Sequence, residues 1–456
     1  MGNVQPGIRM VIGIQREERS VWERRTPLAP VQVKRLVARG VDVLVQPSVH
    51  RAFRDQEYRD VGAIIVHDNL NEASLVLGIQ GTTRAQIVPN STYGLFSHTI
   101  KAQAENMAML DAMIEKNVRL VDFEMMINSG GESLAATFDR FAGIAGMINI
   151  LHALGLRLLA LGYDTPFLKI GLAHTYKNLN EAKIAVRQVG LEISANPIPK
   201  KIGPLTFVFV GKGNTSKGAR EIFGQLPHQF VRPIELQHVA IHGASDGIYA
   251  TVIRKIDYLF RMDNERVTIN EYMESPELFS SGFANGFAPW ASVIVNCATR
   301  KPGDPVLLSA NDLRELTCPD AQPTEGLPYR LLAITDIDRD CQGSFEFAKD
   351  FTDMGQPFCR FIVNKDGGIE KQTGFSGDGV IFSAIPYLSN QIPREASIEF
   401  GEQLLRYIEE LGMMDATAPL REDELSRTVR DAIICSNGSL TPKYKYIEEL
   451  RKNVNY

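Results

Sequence analysis

Several features that mark particular protein classes are scarce in this chain. Only five of its 456 residues are cysteine, and no two form a Cys-x-x-Cys pair. The five are Cys297, Cys318, Cys341, Cys359 and Cys435. This odd, scattered set favours free thiols in a reducing compartment over a disulfide framework or a zinc site, so we expect no metal. The formal net charge of -5 provides no basic excess. We therefore expect no binding to nucleic acid or to anionic membranes.

Long apolar runs are missing as well. The apolar stretch Phe141–Leu156 contains Asn149 and His152 and is shorter than the ~20 apolar residues that span a bilayer. The first ten residues resemble neither a secretory signal nor an Arg- and Ser-rich transit peptide. We expect a soluble protein that does not enter a membrane. A cleaved leader that is not part of this sequence is the alternative.

What the chain does contain is an alternation of short apolar runs and helical stretches. Met10–Gln15 and Val41–Gln46 are predicted strands on either side of a predicted helix, Pro30–Arg39. A second helix is predicted over Gln103–Lys116. The other predicted strands of this part are Val61–Val66, Leu75–Ile79, Tyr93–Ser97 and Leu120–Phe123. Alternating β and α elements predict a parallel sheet covered on both faces.

A chain of 456 residues is too long for one core and suits two domains. Phe138–Leu161, with room for about six helical turns, is predicted to join them, and Gly143 and Gly146 would allow close packing. The strands expected after it are Leu205–Val210, Ser292–Val295, Leu331–Thr335 and Val380–Ala384. The amphipathic stretch Ala396–Leu411 should return to the first domain. We therefore expect an α/β fold with residues 1–138 and 390–456 in one domain and residues 139–389 in the other.

A glycine-rich turn follows the predicted strand Leu205–Val210 and leads into a helix that ends near Leu226. Glycines in this place let the chain turn tightly and let a pyrophosphate reach backbone N–H groups at the helix N-terminus. The third glycine is Gly218, where the usual fingerprint has it at 216. The candidate cofactor-binding residues are Gly211, Gly213, Asn214 and Ser216. The turn favours two Rossmann-like domains, of which the second binds a dinucleotide; a turn without a ligand is the alternative.

The next predicted strand, near Gln229–Val231, ends in Arg232. An acidic residue there would hold the ribose 2′-OH of NAD(H), whereas an arginine accommodates the 2′-phosphate of NADP(H). Arg232 therefore favours NADP(H), with NAD(H) as the alternative, unless it is only a solvated surface residue.

Longer phrases carry a family resemblance. Arg16-Glu17 with Glu23-Arg24-Arg25 resembles the opening of the alanine dehydrogenase and saccharopine dehydrogenase superfamily. Four further phrases are similar to the lysine–2-oxoglutarate reductase half of aminoadipic semialdehyde synthases: Phe96–Gln103, Ala142–Ile150, Lys201–Phe209 and Lys443–Ile447. The resemblance runs from about residue 10 to residue 450.

The resemblance implies an oxidoreductase of lysine degradation, in which NADPH reduces the imine of L-lysine and 2-oxoglutarate to saccharopine. It implies that Arg25 binds a substrate carboxylate, with Arg16 near it in the same motif, and that His98 is the acid–base residue. Asp336 ends a predicted strand of the second domain and is another substrate-binding candidate, unless it only caps a turn. The family suggests the mitochondrial matrix, although no import signal is visible and the cytosol is the alternative.

Four positions depart from the family pattern. They are Gln80 for a lysine, Leu134 for an arginine, Asp139 for a glycine and Pro386 for an aspartate. An amide exchanges no proton near neutral pH, so Lys101 becomes a candidate substitute for the lysine at 80. Three interpretations stay open: a working reductase, a catalytically impaired cofactor-binding paralogue that acts as a sensor or subunit partner, and an oxidoreductase for another amino or oxo acid. A homo-oligomer and a separate saccharopine dehydrogenase partner are also open.

Overall fold

The computed structural model describes residues 10–67, 69–263, 268–301, 303–318, 326–339, 343–364 and 366–453. The chain forms two units, unit 1 from Met1–Phe138 and Pro393–Tyr456, and unit 2 from Asp139–Ile392. The second change of unit falls three residues after the expected 389/390 boundary. The reason is that the short 3₁₀ turn Leu388–Gln391 belongs to unit 2, where the Asn149 amide donates to Gln391 Oε1 at 3.0 Å. Cys341 lies outside the described residues.

Unit 1 is built on an eight-stranded sheet in the order β18-β17-β6-β5-β4-β1-β2-β3. Its strands are β1 (Val11–Ile14), β2 (Asp42–Val45), β3 (Ile64–Ile65), β4 (Leu75–Leu77), β5 (Thr92–Leu95), β6 (Arg119–Asp122), β17 (Ile433–Ser436) and β18 (Ser439–Leu440). Neighbours among β1 to β6 are parallel, whereas β17 pairs antiparallel with both β6 and β18. Every predicted strand of this part is present, although β3 is reduced to two residues.

The helices of unit 1 are α1 (Pro30–Val37), α2 (Asp55–Arg59), α3 (Ala104–Glu115), α12 (Pro393–Leu404), α13 (Ile408–Met413), α14 (Arg427–Arg430) and α15 (Tyr446–Asn453). Pro30 opens α1, where a fixed φ and a missing N–H cost nothing. The returning segment lies against α1, since Gln32 donates to Glu402 at 2.8 Å. The stretch predicted as one amphipathic element is two helices. Tightened i→i−3 bonds at Arg406 and Tyr407 end α12 before α13 begins.

Unit 2 contains a second eight-stranded sheet, ordered β15-β14-β16-β13-β12-β7-β9-β8, and a separate pair, β10 and β11. Its strands are β7 (Leu205–Val210), β8 (Gln229–Phe230), β9 (Ile248–Ile253), β10 (Leu259–Arg261), β11 (Phe279–Ser281), β12 (Val293–Asn296), β13 (Ala333–Asp336), β14 (Cys359–Val363), β15 (Ile369–Gln372) and β16 (Val380–Ser383). Strand β14 pairs antiparallel with both β15 and β16, and the other neighbours in the large sheet are parallel. The predicted α/β fold class is confirmed.

The helices assigned to unit 2 are α5 (Leu179–Ala195), α6 (Asn214–Phe223), α7 (Leu236–His242), α8 (Lys255–Tyr258), α9 (Ile269–Glu274), α10 (Phe283–Gly286) and α11 (Ala310–Leu316), together with most of α4 (Ala136–Ala160). By length and composition alone α4 could cross a membrane, but 78% of its most apolar window is buried. Glycines bring α4 and α6 together. A Cβ at Gly143 would lie 1.9 Å from the Thr215 carbonyl oxygen, and one at Gly218 would lie 1.9 Å from that of Arg140.

The strand order of unit 2 bears on the predicted cofactor role of Arg232. The strand that borders β7 is β9, whereas β8, which comes first in the chain, is the outermost strand. The physical reason is burial. Six register pairs join β9 to β7, from Leu205↔Ile248 to Val210↔Ile253, while both residues of β8 are exposed. Arg232 therefore follows an edge strand, one strand away from the glycine turn.

Candidate functional site

Polar side chains gather where four parallel strands of unit 1 end. Strands β1, β4, β5 and β6 finish at the same edge of the sheet, because parallel neighbours share a direction. The segments that leave this edge are Gln15–Glu17, Gly78–Gln80, Ser97–His98 and Phe123–Glu124. The sequence therefore brings both predicted catalytic positions, Gln80 and His98, to one edge.

Arg25 lies in a buried ion pair. Its Nε donates to Glu23 Oε1 at 2.9 Å and its Nη2 donates to Oε2 at 2.7 Å. The guanidinium carbon lies 4.3 Å from the centroid of the Phe138 ring. Gln80 joins the pair, since its Nε2 donates to Glu23 Oε2 at 3.0 Å. The amide at position 80 thus keeps a hydrogen bond to Glu23 but brings no positive charge to it.

Glu17 lies beside this pair and is buried. It accepts hydrogen bonds from the backbone N–H groups of Ile79 at 2.6 Å and Gln80 at 2.9 Å. Burial, assisted by the charge on Glu23, raises the pKa of Glu17 to about 8, although Arg25 and the two N–H groups oppose the shift. Glu17 therefore holds a proton near neutral pH. Sequence reasoning gave no role to Glu17 or Glu23, although both are fixed positions of the motif that contains Arg25.

His98 is held at the end of β5 in a left-handed backbone conformation, φ 50°. Asn106 donates to the His98 carbonyl oxygen at 3.1 Å and accepts from Arg19 at 2.5 Å. His98 Nδ1 lies 3.9 Å from Glu124 Oε2. Burial lowers the pKa of His98, and the Glu124 charge partly offsets this. The imidazole is therefore neutral at neutral pH and can accept a proton.

A second buried carboxylate fixes the turn that precedes His98. Asp122 ends β6 and is fully buried; its Oδ2 accepts from the Ser97 hydroxyl and from the Ser97 N–H, the latter at 3.3 Å. The Ser97 hydroxyl is also 2.7 Å from that of Thr99. Burial raises the pKa of Asp122 to about 7. Asp122 was not singled out from the sequence, because a carboxylate at a strand end gives no sign of what it will meet.

The other predicted residues of unit 1 differ in their exposure. Arg16 is 38% exposed, and its Nε donates to Glu18 Oε1 at 2.7 Å. With Glu17, Arg16 borders a cavity of about 460 Å³ that also includes Ser48 and Asp55. Lys101 is exposed, three residues beyond His98. Leu134, where the family has an arginine, is 4% exposed.

The glycine turn of unit 2 has the geometry that a phosphate group needs. Gly211 has φ +94°, and its N–H donates to the Ile253 carbonyl at 2.8 Å. A Cβ at Gly213 would have no heavy atom within 4 Å, so the space beside this residue is open. No side chain caps the first turn of α6, which leaves its N–H groups to other acceptors.

Asn214 and Ser216 stand in that first turn. Asn214 Oδ1 accepts from Lys217 at 3.1 Å. Ser216 is fully buried, and its hydroxyl has no hydrogen-bond partner among the described residues. Backbone donors, open space and an unsatisfied hydroxyl together fit a dinucleotide pyrophosphate.

The remaining predicted residues of unit 2 lie away from this turn or are already engaged. Arg232 is 77% exposed and pairs with Glu235 at 2.6 Å. Asp336 is buried and accepts from Asn296 at 2.6 Å and from the Ser344 N–H at 3.4 Å, which favours a structural role for it. Burial raises the pKa of Asp139 to about 6, and the charge of Asp338 adds to that shift. Pro386 precedes Tyr387, which has φ 55°.

No metal centre is found in the parts of the chain that the structure describes, where no three or more His, Cys, Asp or Glu side chains are grouped to hold an ion. The chemistry available at the unit 1 edge is proton transfer and carboxylate binding. The glycine turn of unit 2 can bind a phosphate by backbone groups.

Comparison with known proteins first shows which class of fold the chain has. The family model described as alanine dehydrogenase/PNT, N-terminal domain, matches residues 13–145. A solved L-alanine dehydrogenase superposes with a TM-score of 0.57 at 15% identity, over 97% of this chain and 99% of that one. A transhydrogenase from Sinorhizobium meliloti also gives 0.57, at 16% identity, over 94% of this chain and 100% of that one. At such identities the likeness shows the fold alone, which is that of the alanine dehydrogenases.

Curated proteins of similar sequence are more specific than the fold. Alpha-aminoadipic semialdehyde synthase from Bos taurus, named as mitochondrial, is 42% identical over 99% of this chain and 50% of its own length. The synthase from Arabidopsis thaliana is 37% identical over 97% of this chain and 42% of its own. A saccharopine dehydrogenase [NAD(+), L-lysine-forming] from Yarrowia lipolytica is 30% identical over 29% of this chain and 36% of its own. The chain is therefore similar to the alpha-aminoadipic semialdehyde synthases over nearly all of its own length, and it spans about half of theirs.

Proposed function

We propose that the protein is an NADP(H)-dependent oxidoreductase of lysine degradation that forms saccharopine from L-lysine and 2-oxoglutarate. The observation that carries the proposal is the 42% identity to the bovine synthase over 99% of the chain. The unit 1 edge supports it, because it holds a neutral histidine and a buried arginine beside carboxylates. The mitochondrial matrix is part of the proposal, from the names of the mammalian relatives.

His98 has the features of the proton carrier. Its neutral imidazole would accept a proton from the lysine ε-ammonium, which makes the amine a nucleophile toward the ketone of 2-oxoglutarate. The imidazolium formed in this way is stabilised by Glu124, whose Oε2 lies 3.9 Å from Nδ1. The same proton would then protonate the carbinolamine hydroxyl, which leaves as water to give the protonated imine.

Arg25 would bind a substrate carboxylate. Its two hydrogen bonds to Glu23 and its contact with the Phe138 ring fix the plane of the guanidinium, so that little orientational freedom is lost on binding. Glu17 beside it would remain protonated while the substrate binds, because its pKa is raised to about 8. A protonated Glu17 avoids a second negative charge next to the bound carboxylate.

Unit 2 would hold the nicotinamide cofactor, which supplies the hydride when bound. Gly211 lets the chain turn, Gly213 leaves room for the pyrophosphate, and the N–H groups at the start of α6, including that of Asn214, would donate to its oxygens. Residues 1–138 with the returning C-terminal segment would then be the substrate domain.

A second candidate is a cofactor-binding paralogue without turnover. Gln80 favours it, because the amide that donates to Glu23 exchanges no proton at neutral pH. Leu134 favours it as well, since a buried apolar side chain stands where a carboxylate-binding arginine is expected. The same loss at 134 would suit an oxidoreductase for an amino or oxo acid with one carboxylate fewer.

The deciding experiment follows NADPH oxidation by absorbance, with L-lysine and 2-oxoglutarate together, with each omitted in turn, and with NADH in parallel. The proposed function requires oxidation that depends on both substrates, with saccharopine identified by mass. NADPH binding in calorimetry without oxidation would replace it with the non-catalytic paralogue. Oxidation with a different amino or oxo acid would replace it with the related oxidoreductase.

A further inference from the structure

The residue placed to select the cofactor follows β9. In a Rossmann-like sheet, the side chain after the strand that borders the glycine-turn strand reaches the adenosine ribose. Here that strand is β9, whose last residue, Ile253, accepts from the Gly211 N–H at 2.8 Å. The next residue is Arg254, which is therefore one residue beyond a direct bond to the glycine turn.

Arg254 is in an extended conformation, φ -112° and ψ 164°, and its side chain is 55% exposed. It pairs with Asp257, through Nε to Oδ2 at 3.1 Å and Nη2 to Oδ1 at 3.0 Å. The Arg254 N–H also donates to Asp257 Oδ2 at 2.7 Å. The arginine is thus held at the end of β9 by an acid that competes for its charge.

The neighbouring cations are engaged inside unit 2. Lys255 Nζ pairs with Asp304 at 2.8 Å and lies 3.1 Å from the Tyr272 hydroxyl. Arg300, which follows β12, donates from Nε to the Asp304 carbonyl oxygen at 2.8 Å. Of these three, Arg254 is the one held by an ion pair at the surface, where a phosphate can reach it.

We propose that Arg254 forms the 2′-phosphate subsite for NADP(H) and that Asp257 weakens this subsite by competing for the guanidinium. This inference rests on the proposed cofactor role of unit 2 and assigns the selectivity to Arg254 in place of Arg232. When NADPH binds, one phosphate oxygen replaces an Asp257 oxygen as the acceptor of the arginine. When NADH binds, the Asp257 carboxylate can instead accept from the ribose 2′-hydroxyl, which is how an acid at this place would favour NADH.

The test measures binding, so it does not depend on turnover. NADPH, NADH, 2′,5′-ADP and 5′-AMP are titrated into the full chain by calorimetry, for the wild type, Arg254→Gln, Arg232→Gln and Asp257→Asn. Arg254→Gln should weaken NADPH and 2′,5′-ADP roughly 10- to 100-fold, the range for a lost charge-assisted hydrogen bond. NADH and 5′-AMP should change less than about twofold. Asp257→Asn, which keeps an oxygen to accept from the Arg254 N–H, should strengthen NADPH and weaken NADH.

The outcomes separate this inference from the proposed function. Equal losses for NADPH and NADH in Arg254→Gln, or a selective loss in Arg232→Gln, would overturn the subsite but leave the cofactor role of unit 2. Wild-type protein that binds NADH more tightly than NADPH would likewise overturn the subsite but leave the cofactor role of unit 2. Wild-type protein that binds neither dinucleotide would overturn both. If Arg254→Gln does not fold, the opposite shifts expected in Asp257→Asn decide the question alone.

Discussion

The carboxyl edges of the two large sheets present different chemical groups. In unit 1 the edge is filled by the chain's own charged side chains, with Glu17, Glu23 and Arg25 each less than a tenth exposed. In unit 2 the glycine turn presents backbone groups and open space beside Gly213. The first edge is suited to moving protons, since burial has displaced its pKa values. The second edge is suited to holding a charged group by N–H donors that do not titrate.

This difference indicates which amino-acid substitutions each edge can tolerate. A buried charged network depends on every partner, because removing one leaves another uncompensated in a low-dielectric setting. A backbone phosphate site depends mainly on the absence of side chains. We therefore expect that substitution of one residue can alter the chemistry of unit 1 without altering the glycine turn of unit 2. The following predictions test that separation, from the largest effect to the smallest.

Loss of His98 should remove turnover but not cofactor binding. We expect His98→Ala to lower saccharopine formation by roughly 10²–10⁴-fold, the usual contribution of general acid–base catalysis. The dissociation constant for NADPH should stay the same, since His98 belongs to unit 1. His67→Ala, at an exposed histidine of the same unit, is the matched control. Unchanged turnover in His98→Ala would remove this residue from the mechanism.

At Gly213 we expect a substitution to weaken cofactor binding and to leave the stability of the protein unchanged. In Gly213→Ser the new side chain occupies the open space that the pyrophosphate requires, so NADPH should bind at least about tenfold more weakly. The free energy of unfolding should stay within about 0.5 kcal/mol of the wild type, since serine is a good N-cap and meets no neighbour. Chemical denaturation and calorimetry measure the two quantities.

Two glycines of unit 2 serve as controls for that variant. Gly286→Ser also places a side chain in open space, but away from the turn, and should leave NADPH binding unchanged. Gly218→Ala should destabilise the protein, because its Cβ would lie 1.9 Å from the Arg140 carbonyl oxygen. If Gly213→Ser binds NADPH as the wild type does, the pyrophosphate does not lie at this turn.

Restoring the family lysine at position 80 should raise the rate of the reaction that depends on unit 1. In Gln80→Lys the ammonium would pair with Glu23, which already accepts from the residue at 80, and would lower the pKa of Glu17 from about 8. We expect a gain of roughly fivefold in saccharopine formation, about 1 kcal/mol of the barrier. Gln80→Met, which has similar size and no charge, should show no gain. If Gln80→Lys shows no gain, the glutamine at position 80 does not limit saccharopine formation, and Leu134 is the next position to test.

The smallest expected effect is a shift in the pH profile. Turnover requires neutral His98, so the rate should fall as pH drops through the pKa of this residue. Glu124 raises that pKa, against the larger lowering by burial. In Glu124→Gln the pKa falls, and the acid limb should move to lower pH. At pH 6 the rate should rise at most about fivefold, because a part-exposed pair is worth about 1 kcal/mol or less. A limb that moves to higher pH would contradict the role of Glu124.

Local patterns predicted much of the fold. Strands β1, β7 and β16 are short apolar runs with polar or glycine ends, and their burial within a sheet follows from that composition alone. The position of β8 in the sheet was not predicted, because strand order depends on which strand buries more surface against β7. In the chain β8 comes first, but both of its residues are exposed, whereas β9 is apolar enough to take the inner position.

The site was predicted in part for a similar reason. Gln80, His98 and Arg25 were marked by motifs, and the structure brings them to the same edge of one sheet. The bidentate pair between Arg25 and Glu23 was not predicted, nor was the proton held on Glu17. Both depend on burial, and a sequence motif does not say which of several carboxylates will be enclosed.

The sequence by itself determined the fold class, the glycine turn, the positions of His98 and Arg25, and the loss of the lysine at 80. These follow from local composition and from phrases that are read along the chain. The tertiary structure alone decided the neighbour of β7, on which the proposal of Arg254 over Arg232 rests, as well as the altered pKa values of Glu17, His98 and Asp122. The physical reason is that strand order and desolvation arise from contacts between residues far apart in the chain.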